Sequence, residues 1–127
     1  MKRSLFKECL ALAINHLPHH PAKHYKHYSF IIQNNKIVEY GVNRYGPAYR
    51  IFGYQDHQMI HSENDAYKKA RGLLSRGASF DVVNIRLNSR GELRNSFPCL
   101  CCLSYLRNFG CRRVYFSTNV GFADLLI

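Results

Sequence analysis

The sequence lacks an apolar run long enough to cross a membrane, lacks internal repeats and is poor in acidic residues. A membrane-spanning helix needs about 20 consecutive apolar residues, so no membrane partner is expected. Without repeats, a solenoid is excluded. Because 46% of the residues are hydrophobic, an intrinsically disordered chain is excluded as well. We therefore expect one globular domain over residues 1–127, large enough to bury its own core.

Cysteines are few and odd in number. Of the five, Cys99, Cys101 and Cys102 fall within four positions, while Cys9 and Cys111 stand apart. This arrangement argues against a disulfide framework and for metal binding in a reducing compartment, so we expect an intracellular, cytoplasmic protein. Glu8 interrupts the apolar residues near the start and no small-residue cleavage site follows, which favours an amphipathic first helix over a signal peptide.

Two short motifs carry the chemistry. His61-Ser62-Glu63 reads H-x-E, and Pro98-Cys99-Leu100-Cys101-Cys102 reads P-C-x-x-C. In this order they match the signature of zinc-dependent nucleobase deaminases. On a helix that starts near Pro98, residues three apart share a face, so Cys99 and Cys102 converge while Cys101 points away. The motifs predict that one Zn²⁺ binds to His61, Cys99 and Cys102 with a position open to water, and that Glu63 carries protons.

Periodicity and turn residues predict helices that alternate with strands, which is typical of an α/β architecture. In the first predicted helix Leu5, Cys9, Leu12 and Leu17 form an apolar stripe, and in the second Ala66, Ala70, Leu73 and Leu74 do so before Gly77. The predicted helices are 3–16, 61–76 and 99–109; the predicted strands are 28–33, 36–42, 83–87 and 112–118, with a turn at Asn34-Asn35 and a loop over 44–60.

Over about residues 28–118 the chain resembles the cytidine deaminase-like superfamily. Its first ligand is His, as in the deoxycytidylate and tRNA-adenosine deaminase branch. The resemblance implies a three-layer α/β fold, with a mixed central sheet of four to five strands flanked by helices and both metal helices on one face. It also implies that Ser62 contacts the base through its backbone amide and that Asn43 contacts the sugar.

The activity implied by this resemblance is a hydrolase reaction that replaces an amine by a carbonyl and releases ammonia. Water activated by zinc attacks C4 of cytosine or C6 of adenine while Glu63 moves the proton. We expect cytosine to be the base. Relatives commonly oligomerise, and the apolar end from Phe122 to Ile127 predicts either a homo-oligomer contact or a short fifth strand at the sheet edge.

The formal net charge of +10 exceeds what one mononucleotide phosphate requires. A polyanion explains it better, so single-stranded nucleic acid is slightly favoured over free deoxycytidylate or cytidylate as substrate. Two segments are candidate contacts: the histidine-rich residues 16–27, and residues 44–54, where cations and aromatics alternate. An ordinary solvated loop, a pocket wall and simple solubility are the alternatives. The named candidates in the second segment are Arg44, Tyr45, Tyr49, Arg50 and Tyr54.

Two other classes stay open. In a non-catalytic, zinc-stabilised nucleic-acid-binding module, a fourth ligand such as His57 would close the metal site, and Glu63 would have no use. In a cysteine-rich structural protein with an accidental motif, no stoichiometric zinc would bind. The histidines of residues 16–27 are expected to bind metal adventitiously at most, since Pro18 and Pro21 prevent the regular helix that would align them.

Overall fold

The computed structural model describes residues 1–46 and 59–127. In these residues the chain forms three α-helices, eight strands and a short 3₁₀ turn, Leu17–His19. The helices are α1 (Arg3–His16), α2 (Ser62–Ala70) and α3 (Leu100–Asn108). The strands are β1 (Lys26–Gln33), β2 (Lys36–Val42), β3 (Arg44–Tyr45), β4 (Met59–Ile60), β5 (Phe80–Leu87), β6 (Leu93–Arg94), β7 (Cys111–Thr118) and β8 (Gly121–Leu126).

The central sheet is mixed, as predicted. Its strand order is β2-β1-β5-β7-β8, and the short β6 pairs with β5. Only the β5–β7 pair is parallel among these described pairings, and α3 lies in the connection between them. The end of the chain forms β8 antiparallel to β7, so the fifth-strand alternative is what the structure shows. Within the described residues, no helix is long and apolar enough to span a membrane.

Helices cover both faces of the sheet. On one face, α1 packs on a core that contains Tyr28, Phe30, Val83 and Ile85. On the other face, α2 and α3 bury Ile31, Val82, Leu106 and Val114. Because alternate residues of a strand point to opposite faces, Ser29 of β1 and Asn84 of β5 lie on the face that carries α2 and α3. The predicted three-layer α/β fold is confirmed.

The predicted first helix has the observed bounds, but one residue of its stripe is wrong. Leu5 and Cys9 are buried and Leu17 packs against the same core, whereas Leu12 is 40% exposed. Ala13 is the third buried position of α1. The spacing 5, 9, 13 keeps one helical face, and Leu12 lies about 100° away from it.

The second predicted helix is too long. α2 ends at Ala70 instead of residue 76, and Leu73 is 64% exposed. Gly72 lowers the helix propensity of the segment that follows α2, and the backbone turns there. α3 begins one residue later than predicted, so Pro98 precedes the helix and Cys99 caps it.

The predicted hairpin turn is confirmed, but the predicted loop is partly wrong. Asn34 and Asn35 adopt φ of 54° and 58°, the left-handed conformation that a two-residue hairpin turn requires, so that turn is confirmed. The predicted loop over 44–60 is wrong at its ends, where β3 and β4 pair as a separate small sheet. Strands of two residues carry too little pattern to be recognised in a sequence.

Candidate active site

The site lies where the start of α2 crosses the sheet. Gly41, Ser29 and Asn84 are neighbours across β2, β1 and β5. A Cβ atom on Gly41 would come 2.2 Å from the backbone nitrogen of Ala66, so only glycine permits this approach of helix and strand. Glycine at this position therefore brings the first turn of α2 directly onto the polar row formed by Ser29 and Asn84.

Asp65 fixes α2 to the end of β2. Its carboxylate is 1% exposed and accepts hydrogen bonds from the Val42 amide (3.0 Å) and from the guanidinium of Arg44 (3.0 Å). Lys69, one turn further along α2, donates a third bond at 3.1 Å. Arg44, predicted as a nucleic-acid contact, is thus engaged in an ion pair that orients the helix carrying Glu63.

His61, Cys99 and Cys102 converge as predicted. Their donor atoms lie within 4.8 Å of one another, and Cys101 is outside this group. His61 Nδ1 is 3.8 Å from Cys99 Sγ and 3.5 Å from Cys102 Sγ. Nitrogen and sulfur ligands of one tetrahedral zinc, at about 2.1 and 2.3 Å from the metal, are separated by about 3.6 Å. The three side chains therefore fit a zinc ion, and three protein ligands leave one position for water.

The two candidate cysteine ligands differ in exposure and acidity. Cys102 is fully buried, whereas Cys99 is exposed and accepts a bond from the Cys102 amide at 3.4 Å. The hydrogen bond from the Cys102 side chain, assisted by those from His61 and the Cys102 backbone, lowers the pKa of Cys99 to about 3. Thiolate is the form that zinc requires. None of the five cysteines, all of which lie in the described residues, forms a disulfide.

A serine network holds the segment that delivers Cys99. Ser96 Oγ donates to the carbonyl of Asn84 at 2.9 Å and accepts from the Ser117 amide at 2.8 Å. The Ser96 amide in turn donates to the Ser117 carbonyl at 2.9 Å. Residues leading into Pro98 and Cys99 are thereby tied to both β5 and β7.

Glu63 is buried and both of its carboxylate oxygens are held. Ser62 Oγ donates to Oε1 at 3.0 Å, and Asn84 Nδ2 donates to Oε2 at 3.3 Å. Ser29 Oγ links the two donors, 2.7 Å from Ser62 Oγ and 2.6 Å from Asn84 Oδ1. Glu63, Ser62, Ser29 and Asn84 thus form a closed ring of hydrogen-bonding side chains.

A cavity of about 290 Å³ opens beside these groups and is lined by His61, Ser62, Glu63 and Cys99. Its walls include Tyr25, His27, Ile60, Phe97 and Pro98, side chains that suit a flat heteroaromatic ring. Tyr25 and His27 lie in the candidate contact segment 16–27 but were not predicted to line the catalytic cavity, and Phe97, Ser29 and Asn84 were not predicted as site residues. No motif marks them, since the pairing of β1 with β5 and the path of the 95–98 segment bring them to the site.

Asn43 also lines the cavity, but its carboxamide already has backbone partners. Its Oδ1 accepts from the His27 amide and its Nδ2 donates to the Tyr25 carbonyl, both at 2.8 Å. Each atom retains capacity for one further hydrogen bond. Asn43 thus clamps the Tyr25–His27 segment, in which Tyr25 has a φ of 42°, an unusual value for an aromatic residue.

The pKa of His27, which lies on the cavity wall, is lower than that of an ordinary histidine. Burial, together with the positive charge of Arg86 and the nearby imidazoles of His61 and His20, lowers the pKa of His27 to about 4. His20 packs behind it: Nδ1 accepts from the Ala22 amide, so Nε2 donates to the His27 carbonyl at 3.0 Å. With one ring nitrogen accepting and the other donating, His20 is a neutral imidazole. Its role is structural, because it holds the backbone of His27 in place.

Of the remaining predicted contacts, some lie in the described residues and some do not. Tyr45 is 63% exposed on β3, and Ser62 is buried at the start of α2. Tyr49, Arg50 and Tyr54, as well as the alternative ligand His57, lie outside the described residues.

Comparison with known proteins gives the class of fold. No protein-family model matches the sequence, and no curated protein matches it. Two solved structures of the dCMP deaminase from the cyanophage S-TIM5 are similar in fold, each with a TM-score of 0.63. The form in complex with dCMP and dUMP is 16% identical and is matched over 91% of this chain and 82% of its own; the apo form is 17% identical, over 91% and 84%. The chain has the cytidine deaminase-like fold.

Proposed function

We propose that this chain is a zinc-dependent hydrolase that converts cytosine to uracil with release of ammonia, with single-stranded nucleic acid as its preferred substrate. The observation that carries the proposal is the meeting of His61, Cys99 and Cys102 at zinc-ligand separations on the wall of a cavity that also contains buried Glu63. The similarity in fold to a dCMP deaminase supports the deaminase part of this proposal.

Each residue of the site has its own role in the proposed reaction. His61, Cys99 and Cys102 would hold Zn²⁺, which lowers the pKa of water so that hydroxide is available near neutral pH. Glu63 accepts the proton lost by the attacking water and delivers it to the ring nitrogen of the base. It then takes the proton of the hydroxyl formed on the ring carbon and passes it to the amine, so that the carbonyl forms and ammonia leaves. Ser62 and Asn84 each hold one carboxylate oxygen of Glu63, which lines the cavity.

The size of the cavity matches a single base. Phe97, Pro98, Tyr25 and His27 are among the residues that line a space of about 290 Å³. A polymer must therefore present its cytosine unpaired, because the reacting carbon of a stacked and paired base is out of reach. Asn43 and the backbone amide of Ser62 are proposed to contact the sugar and the base.

A free nucleotide is the second candidate substrate. The structure similar to this chain was solved with dCMP and dUMP, so deoxycytidylate or cytidylate is a substrate of the matching size. A non-catalytic zinc module is less well supported, since a structural site has no use for the buried, doubly hydrogen-bonded Glu63.

Ammonia release and product mass, measured with the zinc-loaded protein, test the proposal. The panel comprises cytidine, deoxycytidine, their monophosphates, single-stranded DNA and RNA that contain one cytosine, and adenosine counterparts. Uracil in the single strand at a higher kcat/KM than in the monophosphate supports the proposal. Turnover confined to the monophosphates establishes the second candidate, and no ammonia from any substrate with one zinc per chain overturns both.

A further inference from the structure

A second depression adjoins the proposed catalytic cavity. It has a volume of about 560 Å³ and lies along the start of β1, the end of β5 and β6. Four cationic side chains line it, Lys23, Lys26, Arg86 and Arg94, together with Tyr25 and Asn88. We call these six residues the basic groove.

Three of the four cations of the basic groove form no ion pair with the described residues. No carboxylate of residues 1–46 or 59–127 lies within 4.0 Å of the cationic nitrogens of Lys23, Lys26 or Arg86. Arg94 approaches Glu92 only at 3.8 Å, while Arg90 holds the same carboxylate at 3.1 Å. Uncompensated cations along one depression attract a chain of phosphates.

Tyr25 joins the basic groove to the catalytic cavity, since its side chain lines both. The ring is 65% exposed and stacks on the guanidinium of Arg86, 4.5 Å from the ring centroid. Its φ of 42° is held by the bond from Asn43 to its carbonyl. An exposed aromatic ring on a cationic support, in a fixed orientation between two depressions, suits the stacking of a base next to the one in the cavity.

The strand register places the two depressions next to each other. His27, on the wall of the catalytic cavity, is paired with Arg86 of the groove across β1 and β5. We infer that the basic groove binds the phosphates and a neighbouring base of single-stranded nucleic acid whose target cytosine occupies the catalytic cavity. The inference rests on the proposed function for the identity of the cavity's occupant, but the binding of the strand can be measured without any reaction.

The probe is a fluorescently labelled oligothymidylate, which has no amine to lose, titrated with the zinc-loaded protein at several salt concentrations. The triple variant K23Q/K26Q/R94Q removes three groove charges. The matched control, K7Q/K36Q/R76Q, removes three charges from exposed positions that do not line the groove. Each phosphate contact contributes about 0.7 to the log–log salt slope, so the groove variant is expected to lose about 2 from that slope. The control is expected to keep the wild-type slope.

Tyr25→Ala tests the stacking site, with Tyr25→Phe as its control because the phenylalanine ring can still stack. Tyr25→Ala should weaken binding by about tenfold at unchanged salt slope, and Tyr25→Phe should bind as wild type. Equal loss of slope in both triple variants, or no binding at low salt, would overturn the inference. Tighter binding of duplex than of single strand would overturn it as well. Groove-dependent binding without deamination of any substrate would leave the groove standing and reject the proposed function alone.

Discussion

At the scale of single residues, Ser62 is the position that shapes the proposed proton carrier. Its hydroxyl lies between Glu63 and Ser29, and Ser29 continues the contact to Asn84. The buried carboxylate of Glu63 therefore has a hydrogen-bond donor at each oxygen, which offsets the desolvation of its charge. The same bonds define the direction in which the carboxylate faces the cavity.

Ser29→Ala should lower kcat by about tenfold with a small change in KM. The variant removes the hydroxyl that links Ser62 to Asn84, so Glu63 loses its fixed orientation while the zinc ligands keep theirs. Steady-state kinetics and zinc content check this, with the exposed Ser79→Ala as control. A rise in KM at constant kcat, or loss of zinc, would assign Ser29 to a different role.

Cys101→Ser should retain one zinc per chain, whereas Cys102→Ser should lose the metal and destabilise the fold. The thiol of Cys102 faces His61 from inside the core, while Cys101 is outside the metal group. Elemental analysis and thermal unfolding measure both effects. The opposite pattern, with zinc lost only from Cys101→Ser, would show that the ligand assignment is wrong.

The stability of the folded chain should fall as the pH drops from about 6.5 to 4. The pKa of His27 is lowered to about 4 when folded, against an ordinary value near 6.5, so the unfolded chain binds the extra proton in this interval. Above pH 6.5 His27 is neutral in both states, and the free energy of unfolding is higher by about 1–3 kcal/mol than at a pH where His27 is protonated in both. Urea unfolding of wild type and His27→Gln across this range should show a shallower pH dependence in the variant. Parallel curves would contradict the assignment.

At the scale of secondary-structure elements, the contact between α2 and β2 positions the whole site. Gly41→Ala forces a Cβ atom against the backbone of Ala66 and should cost more than about 2 kcal/mol of unfolding free energy. Gly72→Ala is the matched control, because its new Cβ meets nothing within 4 Å. That control should be neutral or slightly stabilising. Equal stability of both variants in urea would contradict the close packing of helix on strand.

What the sequence could predict at this scale depended on local signals. The turn at Asn34-Asn35, the strands on either side and the convergence of Cys99 with Cys102 follow from residues near one another in the chain. The place of Ser29 opposite Asn84 could not be predicted, because β1 and β5 are distant in sequence and their register is set by the packing of both faces. Asn84 is polar and yet buried, because helices cover both faces of β5.

The ends of helices and strands also could not be predicted from the local sequence pattern. Leu73 continues the apolar periodicity of α2 but lies past the end of the helix, where Gly72 allows the chain to turn away from the sheet. β8 supplies an exposed edge at the end of the chain, next to β7. Oligomerisation through this edge or through the exposed Leu126 stays a prediction.

At the scale of the whole molecule, the cationic side chains fall into two groups, those in ion pairs that support the fold and those that line the basic groove. Asp65 engages Arg44 and Lys69 in the support of α2, and Asp124 engages Arg113 between β7 and β8. The cations of the basic groove have no such partner among the described residues apart from the long contact of Arg94 with Glu92. Some of the excess cations thus form ion pairs within the fold, and others line the basic groove beside the proposed catalytic cavity.

The central claim, that Glu63 moves protons beside a zinc held by His61, Cys99 and Cys102, is tested most directly by one paired measurement. Ammonia release from a cytosine-containing single strand and from deoxycytidylate is recorded for wild type and Glu63→Ala at equal, verified zinc content. The wild type should release ammonia, and the variant should release none while keeping its zinc and its thermal stability. Equal release by the two proteins, or none by a wild type with one zinc per chain, would contradict the account.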